Sequence, residues 1–213
     1  MPKSKMVGPE SDQLTEKEGK SSTAKGEPPL LKSTVLLRQF SKTVAGYSDG
    51  KTKTNQDSMF VSTGVKNSTN CALFAVFDGH GLQGHKVSQH LKANLAESLE
   101  ARFDPEKSYA EAEYAGILEA VCVDINNKLT ASGGINSFLS GSTGILVLLH
   151  NELVVCANVG DSRAGVVVVE ASDQPALLTM LSRDHTPVEP DEKERITNAG
   201  GKIMPCIGNP KLY

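Results

Sequence analysis

Two aspartates, a glycine and a histidine stand where side chains of their type could do chemistry. Asp57 opens the apolar run Ser58-Met59-Phe60-Val61, and Asp78-Gly79-His80-Gly81 closes the apolar run Phe74-Ala75-Val76-Phe77. Carboxylates and a backbone carbonyl are the oxygen donors that hard divalent cations take, and an imidazole titrates near neutral pH and can pass a proton. Asp-Gly and His-Gly are also ordinary turn chemistry, so these residues alone leave a plain turn standing beside a site. The apolar run reads as a strand, Ala72 to Phe77, buried on both faces and broken sharply at Asp78-Gly79, which leaves Asp78 at the edge of the core.

The elements around these residues follow from periodicity. A polar loop at Lys66 to Asn70 joins the two runs, and so short a connection favours an antiparallel pair that brings Asp57 and Asp78 together. Val87, Leu91, Leu95, Leu99 and Phe103 then recur every fourth residue, which predicts a helix over about 83–102 with His90 off its stripe and facing solvent. His85 falls in the first turn of that helix, near the motif, although a surface position is its commoner use. After Pro105 a second helix carries Tyr109, Ile117, Val121 and Ile125 and stops near Ser132-Gly133-Gly134. Strands at 144–149 and 153–159 form a hairpin with His150 on its surface turn. Further strands at 164–169 and 177–181 continue a meander through a turn at Asp173-Gln174-Pro175, and a short helix spans 191–199. Strands, then helices, then strands predict an α+β fold of antiparallel sheets with segregated helices. Gly141-Ser142-Thr143-Gly144 lacks the lysine and the strand-to-helix setting of a phosphate-cradling loop and reads as a strand entrance.

Composition bounds the function classes. The 213 residues suffice for one sizeable domain, and a net charge of -3 with no basic face points away from nucleic acid. There is no apolar stretch of membrane-spanning length and no secretory pattern, so the protein is expected to be intracellular, cytoplasmic or nuclear, without a membrane partner. Cys71, Cys122, Cys156 and Cys206 show no metal-binding spacing, and the first three read as reduced core residues. Residues 1–33 are rich in Lys, Ser, Gly, Glu and Pro and read as a disordered tail, with the folded domain over 34–213 beginning near Val35-Leu36-Leu37.

Several ordered stretches resemble protein phosphatase 2C, the metal-dependent serine/threonine protein phosphatases. The resemblance rests on Lys53-Thr54-Asn55-Gln56-Asp57-Ser58, Val76-Phe77-Asp78-Gly79-His80-Gly81, Ser140-Gly141-Ser142-Thr143, Ala157-Asn158-Val159-Gly160-Asp161-Ser162-Arg163 and Asp184-His185-Thr186-Pro187 with the segment after it. It implies a four-layer αββα fold, an antiparallel β-sandwich flanked by helices. It also implies hydrolysis of phosphoserine and phosphothreonine in phosphorylated protein substrates, by a monomer. By the same resemblance Asp57, Asp78 and the carbonyl of Gly79 are metal ligands for Mg²⁺ or Mn²⁺, two ions in a complete site, with Asp78 bridging them across an activated water. His80 is then the catalytic proton donor to the leaving oxygen.

The chain departs from the family pattern in three respects. Thr52 stands near the place of a phosphate-binding arginine, for which Lys51 or Lys53 is the nearest substitute, and Gln56 stands where an acidic residue often precedes the first metal aspartate. The two later aspartates with which the family completes its metal site do not appear before Tyr213, while Asp161 falls in a turn motif and Asp184 and Asp191 in a connecting segment and short helix. The resemblance therefore implies a C-terminally incomplete form, truncated before the last strands, with little activity at this length. The alternative is a non-catalytic phosphatase-like module that binds phosphoproteins or regulates signalling.

Overall fold

A computed structural model of the chain describes residues 38–168 and 176–204, all within its Leu31–Tyr213 unit. The expected tail at 1–33, the start near Val35, the turn at 173–175 and Cys206 lie outside the described residues. A short hairpin, β1 (Tyr47–Ser48) with β2 (Lys51–Thr52), precedes the main sheet. That sheet runs in the order β3 (Asp57–Ser62), β4 (Cys71–Gly81), β6 (Gly144–His150), β7 (Leu153–Val159), antiparallel throughout, with β5 (Ser140–Ser142) paired to the end of β4. Two helices, α1 (Gly84–Glu100) and α2 (Glu111–Ala131), separate β4 from β5. A hairpin of β8 (Gly165–Val168) and β9 (Leu177–Met180) and the helix α3 (Pro190–Asn198) follow. The expected four-stranded meander is thus divided, since β8 and β9 form their own two-stranded sheet.

Strand alternation decides which face of the sheet is covered. Leu73, Ala75 and Phe77 of β4 point to the same side as Leu146 and Leu148 of β6. There they meet the stripe Val87, Leu91, Leu95, Leu99 of α1 with Phe103 beyond it, all buried as the four-residue period predicts. From α2 the buried stripe is Tyr114, Leu118, Val121, Ile125 and Leu129. Tyr109 precedes the helix and Ile117 is only half-buried, because capping by the Glu113 carboxylate on the Ala110 N–H starts α2 at Glu111. The other side of β4 is not buried as expected: Val76 is 46% exposed, since the helices cover one face only.

Two histidines are placed differently from expectation. His150 is completely buried, because the alternation Leu146, Leu148, His150 carries it inward before the turn begins at Asn151. Its Nδ1 lies 2.6 Å from the Tyr114 hydroxyl and its Nε2 2.9 Å from the carbonyl of Pro105. The ring packs edge-on against Phe103. His90 is half-buried on α1, its Nε2 enclosed without a hydrogen-bond partner among the described residues. Of the cysteines, Cys71 is buried and Cys122 and Cys156 half-buried, all three free, and burial pushes each thiol up from its ordinary value.

Candidate active site

The register of β3 on β4 places Asp57 directly opposite Asp78. Both follow the exposed side of their strands, and His80, two residues further along β4, falls on the same side by alternation. The Asp57 backbone N–H donates to the Asn55 side-chain oxygen at 3.0 Å, which fixes the entrance to β3. The expected break at Asp78-Gly79 does not occur: β4 continues to Gly81 because β5 pairs with its last three residues, Gly79 with Ser142, His80 with Gly141 and Gly81 with Ser140. Glycine is required on this stretch for a physical reason, since Gly81 has φ +82° and a Cβ on Gly79 would fall 2.5 Å from the carbonyl oxygen of Gln56. Gly141 leaves room for the imidazole, whose Nε2 would be 2.7 Å from a Cβ there.

Thr143 fixes the backbone of Asp78. Its N–H donates to the Asp78 carbonyl at 2.9 Å, and its hydroxyl oxygen accepts the Asp78 N–H at 3.0 Å. The same hydroxyl meets Ser162 Oγ at 2.7 Å, which links the end of β4 to the loop after β7. That loop turns at Gly160, φ +103°, whose carbonyl accepts the His185 N–H at 2.9 Å. An open cleft of about 540 Å³ results, with Asp78, His80, Asp161 and His185 among its walls. Asp161, which reads from the sequence as part of a turn, is thereby brought to the carboxylates. The signal that marks it is a second apolar strand ending in an acid, Val159-Gly160-Asp161.

The electrostatics of this cleft are those of crowded anions. Partial burial first, and then the neighbouring Asp57 and Asp161 carboxylates, push the Asp78 carboxyl above its ordinary value of 3.8, with His80 acting in the opposite direction. Like charges directly opposite on paired strands destabilise a sheet unless a cation lies between them. Two carboxylates on the exposed face of paired strands, with the Gly79 carbonyl next along β4, are oxygen donors of the kind a hard divalent cation takes; Asp78 lines the cleft, and Asp57 lines a neighbouring pocket with Lys42 and Arg163 among its walls. Among the described residues no group of three or more His, Cys, Asp or Glu is arranged to hold a metal, so the set amounts to two carboxylates and a carbonyl.

The remaining candidates stand apart from the cleft. Lys51 and Lys53 are exposed on and just after the β1–β2 hairpin, and neither has an ion pair or side-chain hydrogen bond to Asp57, Asp78 or His80 among the described residues. His85 is half-buried in the first turn of α1 and does not line the cleft.

The chain is similar to probable protein phosphatase 2C 35 of Arabidopsis thaliana, 35% identical over 163 residues, which are 74% of this chain and 43% of that protein. It is similar to protein phosphatase 1L of Bos taurus, 32% identical over 180 residues, 79% of this chain and 48% of the relative. The chain therefore spans about half the length of these curated relatives. Its fold is similar to that of a serine-threonine phosphatase 2C from Toxoplasma gondii, with a TM-score of 0.59 at 22% identity over 74% of this chain and 54% of the other. A family model described as protein phosphatase 2C matches residues 42–211. That match takes in every strand and helix from β1 to α3, and on it the chain belongs to the protein phosphatase 2C family.

Proposed function

We propose that the chain is a metal-dependent protein serine/threonine phosphatase acting on phosphoserine and phosphothreonine, with Asp57, Asp78 and the Gly79 carbonyl among the oxygen ligands of its metal site. The single observation that carries this is the cross-strand pairing of Asp57 with Asp78, with His80 two residues on and facing the same side. Asp57, Asp78 and the Gly79 carbonyl are the groups to hold Mg²⁺ or Mn²⁺. When bound, the ions supply an activated water and neutralise charge on the phosphoryl oxygens. Thr143 keeps Asp78 in register through its two backbone contacts. His80, seated over Gly141, is the proton donor to the serine or threonine oxygen as the ester breaks. A cation of this kind takes six or more oxygens, so two carboxylates and a carbonyl hold it weakly. The free thiols fit a reducing, intracellular setting.

Phosphate release from a phosphothreonine peptide, measured with millimolar Mn²⁺ and with EDTA, tests the proposal. Slow but metal-dependent release is expected, abolished in Asp78→Asn and lowered further in His80→Ala. Absence of metal-dependent release overturns it. If the peptide still binds in that case, the non-catalytic module is the better reading.

A further inference from the structure

Behind the carboxylate pair, three parts of the chain meet at one hydroxyl. Ser88 is completely buried in α1, and its Oγ lies 2.6 Å from the carbonyl oxygen of Gln56 and 3.0 Å from Oγ of Ser58. The His85 carbonyl of the preceding turn is a more distant acceptor at 3.3 Å. A serine hydroxyl carries a single proton. Donated to Gln56, it leaves Ser88 Oγ as the acceptor for the Ser58 hydroxyl, and both buried serines are satisfied. The Gln56 carbonyl also accepts the Gly79 N–H at 3.2 Å. One carbonyl therefore joins α1 to the peptide of the glycine whose own carbonyl is read as a ligand.

The helix and that glycine meet backbone to backbone, with the buried Gln56 side-chain oxygen beside them. A Cβ on Gly84, the first residue of α1, would fall 2.6 Å from the Gly79 carbonyl carbon, and a Cβ on Gly79 would collide with the Gly84 carbonyl. The start of α1 is thus a rigid backing against which Gly79 rests. Ser58 adds a second connection. Its side chain meets Ser88 in the helix layer, so by alternation its neighbour Asp57 is turned to the opposite, exposed side of the sheet, the side of Asp78 and His80.

We propose that Ser88 is a positioning residue of the metal site. Through the Gln56 carbonyl it sets the place of the Gly79 peptide, and through Ser58 it sets the rotation of β3 that presents Asp57. The inference rests on reading Asp57, Asp78 and Gly79 as metal ligands. Groups that orient ligands in this way typically account for 10- to 100-fold in metal affinity.

The test is Mn²⁺ binding by the whole chain, followed by electron paramagnetic resonance, together with thermal unfolding in EDTA. Ser88→Ala is expected to weaken Mn²⁺ binding about 10-fold. The double variant Ser58→Ala/Ser88→Ala strands no buried hydroxyl, so it is expected to unfold in EDTA closer to the parent while binding Mn²⁺ as weakly as Ser88→Ala. Should Ser88→Ala fail to fold, the double variant carries the test. Parent-like Mn²⁺ affinity in the variants, with only the unfolding temperature altered, overturns the positioning role and leaves the metal-site reading intact. Absence of Mn²⁺ binding by the parent chain overturns both.

Discussion

Asp78 sits where like charge works against the fold. Its carboxyl is held above 3.8 by partial burial and by Asp57 and Asp161, so the folded chain favours the protonated form more than the unfolded chain does. For an acid shifted upward, stability falls as pH rises from 3.8 through the raised value, and the penalty is complete above it. Asparagine carries no such penalty. In EDTA at neutral pH, Asp78→Asn is therefore expected to be more stable than the parent by up to about 1 kcal/mol, the size of a like-charge cross-strand pair. The difference should disappear below pH 3.8, and the order should reverse with millimolar Mn²⁺; urea unfolding under the three conditions checks it. The facing of the two aspartates was legible because a short loop between two apolar runs dictates antiparallel pairing. Ser88 was not, because a serine four residues after a glycine looks like any helix position until Ser58 and Gln56 are brought against it.

At the scale of elements, the sequence shows local patterns well and distant pairings poorly. The stripe Val87, Leu91, Leu95, Leu99 gave α1 to within two residues at each end, since its period is a local property. The continuation of β4 through Asp78-Gly79-His80-Gly81 depends on β5, about sixty residues later, and local turn chemistry pointed the other way. His150 is a middle case: its neighbour Asn151 signals a turn, but the alternation with Leu146 and Leu148 already turns it inward. The Tyr114 hydroxyl and His150 join α2 to the end of β6 across the α1–α2 connection at Pro105. Tyr114→Phe removes the partner of a fully buried ring nitrogen and is expected to cost about 1–3 kcal/mol in urea unfolding, with Mn²⁺ binding unchanged.

Across the whole molecule, the loop after β7 and the segment leading to α3 are held together by charge. Arg163 grips Asp184 with two hydrogen bonds of 2.8 and 2.7 Å, and Arg183 pairs with Asp191. The hydrogen bond from Arg163, and then its charge, hold the Asp184 carboxyl below its ordinary value of 3.8. For an acid shifted downward, the stabilisation is present above 3.8 and is lost as pH falls through the lowered folded value. Asp184→Asn is accordingly expected to melt below the parent at pH 7 and to converge with it in strong acid, with a smaller gap in high salt. Thermal scans across pH check this.

The bond from the Gly79 N–H to Gln56 has a consequence for observing the molecule in motion. That hydrogen belongs to the peptide between Asp78 and Gly79, whose oxygen accepts the Thr143 N–H, so both ends of the unit are held. Exchange of that one hydrogen with solvent requires Gln56 and Gly79 to part, so its rate measures how often the entrance to β3 comes away from β4. A glycine amide between Asp78 and His80 is thus a clock for local opening, readable in the resting protein.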